Sequence, residues 1–191
     1  MIIKRLAIFA SGTGSNALNI IQSFKNLRTV EVAFILSNKS DAKIVSSARE
    51  LGVNVEIVTN EEVETGVKIV ELCKKQNIDY IVLAGFLRKI PSELIALYPN
   101  KIINIHPSLL PKYGGKGMFG ANVHNAVLQN KELETGITIH FVNEDFDKGE
   151  IIAQFKCAIS EQETVESLQA KIHALEHANF PTIIKNTIEN D

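Results

Sequence analysis

Runs of apolar residues, each of strand length, punctuate the first part of the chain: RLAIFA at 5–10, VEVAFILSN at 30–38, VNVEIV at 53–58, DYIVLAGF at 79–86 and KIINIH at 101–106. They are nearly continuous rather than alternating, as strands covered on both faces require. Helical spacing between them predicts helices near 16–25, 41–51, 61–76 and 92–98. In the third, Val63, Val67 and Val70 follow helical spacing, and Gly66 within it costs roughly 1 kcal/mol relative to Ala. Strand and helix in alternation predict βαβ units and a parallel sheet.

Beyond residue 107 the rhythm changes. PSLLPKYGGKGMFGAN (107–122) holds Pro107, Pro111 and four glycines with little periodicity, and predicts a long functional loop. A short helix (NVHNAVLQN, 122–130) follows, then two strands, ETGITIHFVN and EIIAQFKCAI, across the acidic turn EDFDKG. Val165, Leu168, Ile172 and Leu175 give one face of a closing helix, which Pro181 is expected to kink or interrupt. The predicted class is α/β: a doubly wound, mostly parallel sheet with a Rossmann-like N-terminal half and antiparallel strands toward the C-terminal part.

Composition narrows the partners. With 191 residues, 45% of them hydrophobic, and no repeat or linker, the chain is expected to form one domain, 1–191. The formal charge of -2 leaves no cationic field for nucleic acid or anionic lipid, so a small, locally recognised ligand is expected. Cys73 and Cys157 lack a CxxC partner and read as reduced core thiols, which suits a cytoplasmic protein. MIIKRLAIFASG is too short an apolar stretch for a signal segment, and no later run approaches the ~20 residues of a membrane span.

Three motifs carry chemistry. In FASGTGSNAL, a glycine turn leaves the first strand and opens a helix; Gly12 and Gly14 allow close backbone approach, and the helix start favours an anion such as a phosphate. The letters also satisfy G-x-G-x-x-A, but the second strand ends in Ser37 and Asn38 rather than the acid that would bind a ribose hydroxyl in a dinucleotide site. HALEH at 173–177 matches the inverted zinc-peptidase pattern, yet only 14 residues follow His177 to supply a further ligand, so a polar helix stripe is the better reading.

The third motif is INIHPSLLPKY. Alternate residues of a strand share a face, so Asn104 and His106 project together at a carboxyl end, where sheets of this class form their ligand crevice. An amide N–H and a protonated imidazole both stabilise the oxyanion of acyl transfer. No G-x-S-x-G elbow is present, so direct attack by a substrate amine is more economical than an acyl-enzyme. A carboxylate beside the imidazole would keep it charged and relay the amine's proton; Asp147 is the leading candidate, with Glu144 and Asp145 as competitors.

These pieces, with SNKSDA, LAGFLRKI, HFVNEDFDKGEII and LEHANFP in the same order, make the chain resemble the phosphoribosylglycinamide formyltransferase family over nearly its whole length. The resemblance implies the formyltransferase fold, with a nucleotide-phosphate-binding half (1–100) and a catalytic and folate-binding half (101–191). It implies transfer of a formyl group from 10-formyltetrahydrofolate to the amine of glycinamide ribonucleotide, without a metal, in a cytoplasmic monomer or homodimer.

On the residues that match, it implies Asn104, His106 and Asp147 as catalytic, with Asn104 and His106 as oxyanion donors and Asp147 keeping His106 protonated. The turn Gly12, Thr13, Gly14, Ser15 and Asn16 would take the ribonucleotide phosphate, and Glu176 would lie near the glycinamide end. The folate would meet Leu87, Arg88, Lys89 and Ile90, together with Asn104, His140, Val142, Asn143, Glu144 and Asp147. A charged His106 and a neutral amine imply a bell-shaped pH dependence.

Two features depart from the family's pattern: the loop GGKGMFGANVH, which affects the placement of His124, and the absence of Arg between Arg49 and Arg88, which leaves Lys68 as a substitute toward the folate tail. The family also suggests a cis Leu110–Pro111 bond. Methionyl-tRNA formyltransferase and formyltetrahydrofolate hydrolase share the chemistry but add domains this sequence is not expected to have. A catalytically silent nucleotide-binding module is the rival outside enzymology.

Overall fold

The computed structural model describes residues 3–191. Its elements in chain order are β1 (Lys4–Phe9), α1 (Ser15–Phe24), β2 (Val30–Ser37), α2 (Lys43–Glu50), β3 (Asn54–Ile57), α3 (Asn60–Thr65), α4 (Val67–Lys75), β4 (Tyr80–Leu83), α5 (Ser92–Leu97), β5 (Ile102–His106), α6 (Ala121–Gln129), β6 (Glu134–Phe141), β7 (Ile151–Ala158) and α7 (Val165–Glu189). The strands form one seven-stranded sheet in the order β3-β2-β1-β4-β5-β6-β7. The pairings from β3 through β5 are parallel, and β6 and β7 join antiparallel. This is the doubly wound, mostly parallel α/β class expected from the sequence.

Period-two alternation divides each central strand between two cores. From β1, Leu6 and Ile8 pack with Ala17, Ile44, Ile172 and Phe180 of α1, α2 and α7. Ala7 and Phe9 point the other way, to Val63, Ile69 and Leu94 of α3, α4 and α5. Both faces are therefore covered, which is why the strand sequences are nearly unbroken in their hydrophobicity.

The helix expected over 61–76 is two helices. Gly66 adopts φ 72, ends α3 and begins α4, so the backbone reverses hand where one continuous helix was expected. Val67, in helical spacing with Val63 and Val70, is exposed. Pro181 does not interrupt α7, which runs unbroken from Val165 to Glu189. A proline removes the hydrogen bond to the carbonyl four residues back. That carbonyl belongs to His177, and it accepts instead from Asn19 Nδ2 at 2.8 Å, so a side chain of α1 replaces the missing backbone donor. Cys73 is buried as expected, but Cys157 lies on edge strand β7 and is only partly covered.

The sheet's topology also fixes the glycine turn. Gly14 has φ 73, and a Cβ there would lie 2.5 Å from Ile44 Cδ1 and 2.6 Å from Ile44 Cβ, so both dihedral and space require glycine. Gly14→Ala is expected to lower stability by about 1–3 kcal/mol in urea unfolding. An unchanged midpoint and slope would contradict this account of the turn.

Candidate active site

Strand order reverses between β1 and β4, and a crevice opens beyond the carboxyl ends of the strands at such a switch point. Here it is a cleft of about 600 Å³. β1 delivers the turn Gly12–Asn16 to its wall, β4 the segment Ala84–Ile90, β5 Asn104–Pro107, and the connection after β6 the residues Val142–Asp147. Apart from Lys68, the site residues expected from the sequence line this one cleft, Glu176 from α7 and His140 from β6 included.

At the β1 turn, Gly14 caps α1 without a side-chain hydrogen bond, which leaves the first N–H groups of the helix available to an anion. The buried Ser11 hydroxyl fastens this turn to its neighbours: it donates to Asn38 Oδ1 at 2.6 Å and accepts from the Leu87 N–H at 3.2 Å. Asn38 thus occupies the position where a dinucleotide site needs an acid. Asn16 Nδ2 donates to Glu176 Oε2 at 2.8 Å, while Asn16 Oδ1 is buried without a partner among the described residues. Burial raises the Glu176 carboxyl above its ordinary value, against the Asn16 hydrogen bond and the nearby His177, which lower it.

Asn104, His106 and Asp147 converge as the strand spacing requires. His106 is 4% exposed. Its Nε2 lies 2.8 Å from the Tyr113 carbonyl and its Nδ1 3.5 Å from Asp147 Oδ2. A carbonyl only accepts, so Nε2 carries hydrogen and the Nδ1 edge faces the acid. The same rule fixes the neighbouring ring: His140 Nδ1 donates to the Phe141 carbonyl at 2.8 Å, leaving Nε2 to accept from Asn104 Nδ2 at 3.0 Å. Asn104 retains a second amide hydrogen.

Asp147 sits at φ 56, a left-handed conformation unusual outside glycine, and its Oδ2 accepts from the Gly115 N–H at 2.8 Å. Burial would raise its carboxyl, but the neighbouring His140 and His106 rings and the Gly115 N–H outweigh that and hold it below the usual carboxylate range. Its competitors lie outside this arrangement: Glu144 is exposed and Asp145 reaches Lys148 Nζ at 3.4 Å.

Several expectations change. Burial pushes His106 below its ordinary value, outweighing Asp147 and the Tyr113 carbonyl, which raise it. Asp147 therefore does not raise the ring above its ordinary value, as the expectation of a carboxylate-charged imidazole required. Lys68 does not face the cleft, because its Nζ is held by Glu62 Oε1 at 2.9 Å and the Ile57 carbonyl at 3.2 Å. Of HALEH, Glu176 turns inward to Asn16 while His173 and His177 stack at the surface with ring centroids 6.5 Å apart. Among the described residues no three His, Cys, Asp or Glu side chains gather as metal ligands.

The cleft also includes residues that the sequence left without a role: Lys116 to Phe119 of the glycine-rich loop, Gln169 and His173 of α7, and His124 of α6. His124 is buried, its Nδ1 has no partner among the described residues, and burial lowers its basicity. The α7 positions were legible as the i, i+3, i+4 neighbours of Ile172 and Glu176. Leu110–Pro111 is cis.

The His106 environment gives a direct expectation. In the ligand-free protein its ring should titrate below pH 6.5 in histidine NMR. Asp147→Asn removes a charge that raises this value, so the midpoint should move further down; a wild-type midpoint above 6.5, or an upward move in the variant, would contradict the assignment.

Known proteins share this arrangement of elements. A family model described as formyl transferase matches residues 4–184. Phosphoribosylglycinamide formyltransferase of Bacillus subtilis (strain 168) is 34% identical over 191 aligned residues, covering 97% of this chain and 95% of that protein. The chloroplastic phosphoribosylglycinamide formyltransferase of Arabidopsis thaliana is 36% identical over 95% of this chain, which spans 64% of that protein's length. The crystal structure of phosphoribosylglycinamide formyltransferase from Bacillus halodurans has a TM-score of 0.87 and 37% identity, covering 96% of this chain and 94% of that one. Glycinamide ribonucleotide transformylase 1 from Geobacillus kaustophilus has a TM-score of 0.90 and 33% identity, over 98% of this chain and 100% of its own. With its matching family model, its relatives and its site-bearing sheet, the chain belongs to the formyl transferase family.

Proposed function

We propose that the chain transfers the formyl group of 10-formyltetrahydrofolate to the amine of glycinamide ribonucleotide, the acceptor and the transferred group being those in the names of its relatives. The observation that carries this reading is that an anion-ready helix start and the Asn104, His106 and Asp147 cluster line one cleft. The folate is a substrate, consumed in the reaction. In this reading its pterin lies along Leu87, Arg88, Lys89 and Ile90 and the turn through Val142, Asn143 and Glu144. The ribonucleotide phosphate lies on Gly12 to Asn16, with Glu176 beyond.

The neutral amine attacks the formyl carbon, and the carbonyl oxygen becomes an oxyanion. Asn104 donates its uncommitted amide hydrogen to that oxygen. The proton leaving the amine passes to His106 Nδ1, and the imidazolium so formed lies beside Asp147 and stabilises the oxyanion by its charge. As the bond from carbon to the folate nitrogen breaks, the proton goes to that nitrogen, giving tetrahydrofolate and the formylated ribonucleotide. His106 begins neutral in this sequence. The rate should therefore fall toward acid as the ring gains a proton below pH 6.5, and the bell expected from a charged imidazole loses its His106 limb on the alkaline side.

Within this reading the enzyme works in the cytoplasm, as a monomer or homodimer, with neither metal nor nucleic acid. The test mixes purified protein with 10-formyltetrahydrofolate and follows folate absorbance with and without glycinamide ribonucleotide. A change only with the ribonucleotide is expected; a change without it would indicate hydrolysis, no change a binding module, and a change only with methionyl-tRNA another acceptor. Asn104→Ala should lose about 10²–10³ in kcat with the ribonucleotide KM little altered. Retention of wild-type kcat would remove Asn104 from the mechanism.

A further inference from the structure

The reacting groups share an unusual support. The Tyr113 carbonyl accepts from His106 Nε2 and the Gly115 N–H donates to Asp147 Oδ2, each at 2.8 Å. Three consecutive backbone units therefore hold both the base and its acid. The residue between them, Gly114, has no room for a side chain: a Cβ would lie 2.5 Å from Leu110 Cδ2 and 3.2 Å from Asp147 Cβ. This backbone is pressed against the residues it orients.

Tyr113 itself has φ 56, in the left-handed region, which an aromatic residue rarely adopts and which must be held from outside. The hold comes from Glu132, in the connection between α6 and β6. Tyr113 Oη donates to Glu132 Oε1 at 2.9 Å, and Lys112 Nζ reaches the same oxygen at 2.9 Å. The Ser108 hydroxyl also donates to the Lys112 carbonyl at 2.7 Å, securing the residue before. Glu132 lies outside the cleft that holds His106, so any influence it has on the chemistry passes through Tyr113.

We infer that Tyr113 and Glu132 are positioning residues: the contact between phenol and carboxylate fixes the Tyr113 to Gly115 backbone as a clamp that sets the orientation of His106 and Asp147. The inference rests on the proposed roles of those two groups. Asp147 from the turn after β6 and His140 from β6 are the other titratable groups facing His106; the clamp holds Asp147 through Gly115, and because Asp147 also raises the His106 pKa, loosening either contact moves the ring in the same direction.

The test compares Tyr113→Phe, Glu132→Ala, Glu132→Gln and the Tyr113→Phe/Glu132→Ala double variant by histidine NMR titration of the ligand-free protein and by steady-state kinetics. Losing the anchor weakens the Tyr113 carbonyl contact that raises the His106 pKa, so Tyr113→Phe and Glu132→Ala should each move its midpoint to lower pH. Each should lower kcat by about tenfold with the ribonucleotide KM within about twofold. The double variant should match the singles, because both break one contact. Glu132→Gln keeps an acceptor for the phenol and should stay close to wild type. An unmoved His106 midpoint in both single variants, or a double variant equal to the product of the singles, would overturn the clamp. A moved midpoint with unchanged kcat would uphold the clamp and refute the role given to His106.

Discussion

His106 stands between the Tyr113 carbonyl and the Asp147 carboxylate in a place nearly closed to water, and the opposition of these influences sets its protonation state. Burial disfavours the imidazolium; carbonyl and carboxylate favour it. Burial prevails. A ring poised in this way gains its charge most readily when a negative charge develops nearby, which is the condition that attack on a formyl carbon creates. The partly buried Asp147 carboxylate, held below the usual carboxylate range by the neighbouring histidines and the Gly115 N–H, is then a counterion already in place.

The fold supplies this balance through strand ends. β5 carries Asn104 and His106 to the crevice side of the sheet, while Ile103 and Ile105 anchor the same strand in the core beneath. β6, antiparallel to β5, sets His140 opposite Asn104 in register, and the turn that follows returns Asp147 toward His106. The parallel half contributes the helix start at Gly14, fastened to the β4 loop through Ser11. The mixed sheet thus brings the α1 helix start and the Asn104, His106 and Asp147 cluster to one edge, the first from its parallel half and the second from the junction with its antiparallel strands.

Much of this was legible in the sequence because burial on two faces leaves continuous apolar runs, and because two polar residues spaced by two at the end of such a run must share a face. The glycine turn was legible for the same reason, since Gly14 meets both a steric and a dihedral demand. What escaped reading depended on contacts distant in the chain. Pro181 looked like a helix breaker, and only the Asn19 side chain, over 150 positions earlier, explains why it is not. Gly66 looked like a tolerated defect within one helix but marks a reversal of backbone hand. The lowered basicity of His106 follows from how completely it is enclosed, a quantity no local pattern encodes, and the Tyr113 carbonyl has no side-chain signature at all.

The account stands most directly on where the one-carbon unit goes. With 10-formyltetrahydrofolate labelled with ¹³C at the formyl carbon, the NMR signal should move from the folate to the amide of formylated glycinamide ribonucleotide, at a rate that falls sharply in His106→Ala. Label appearing as free formate, or remaining on the folate while the ribonucleotide is bound, would contradict it.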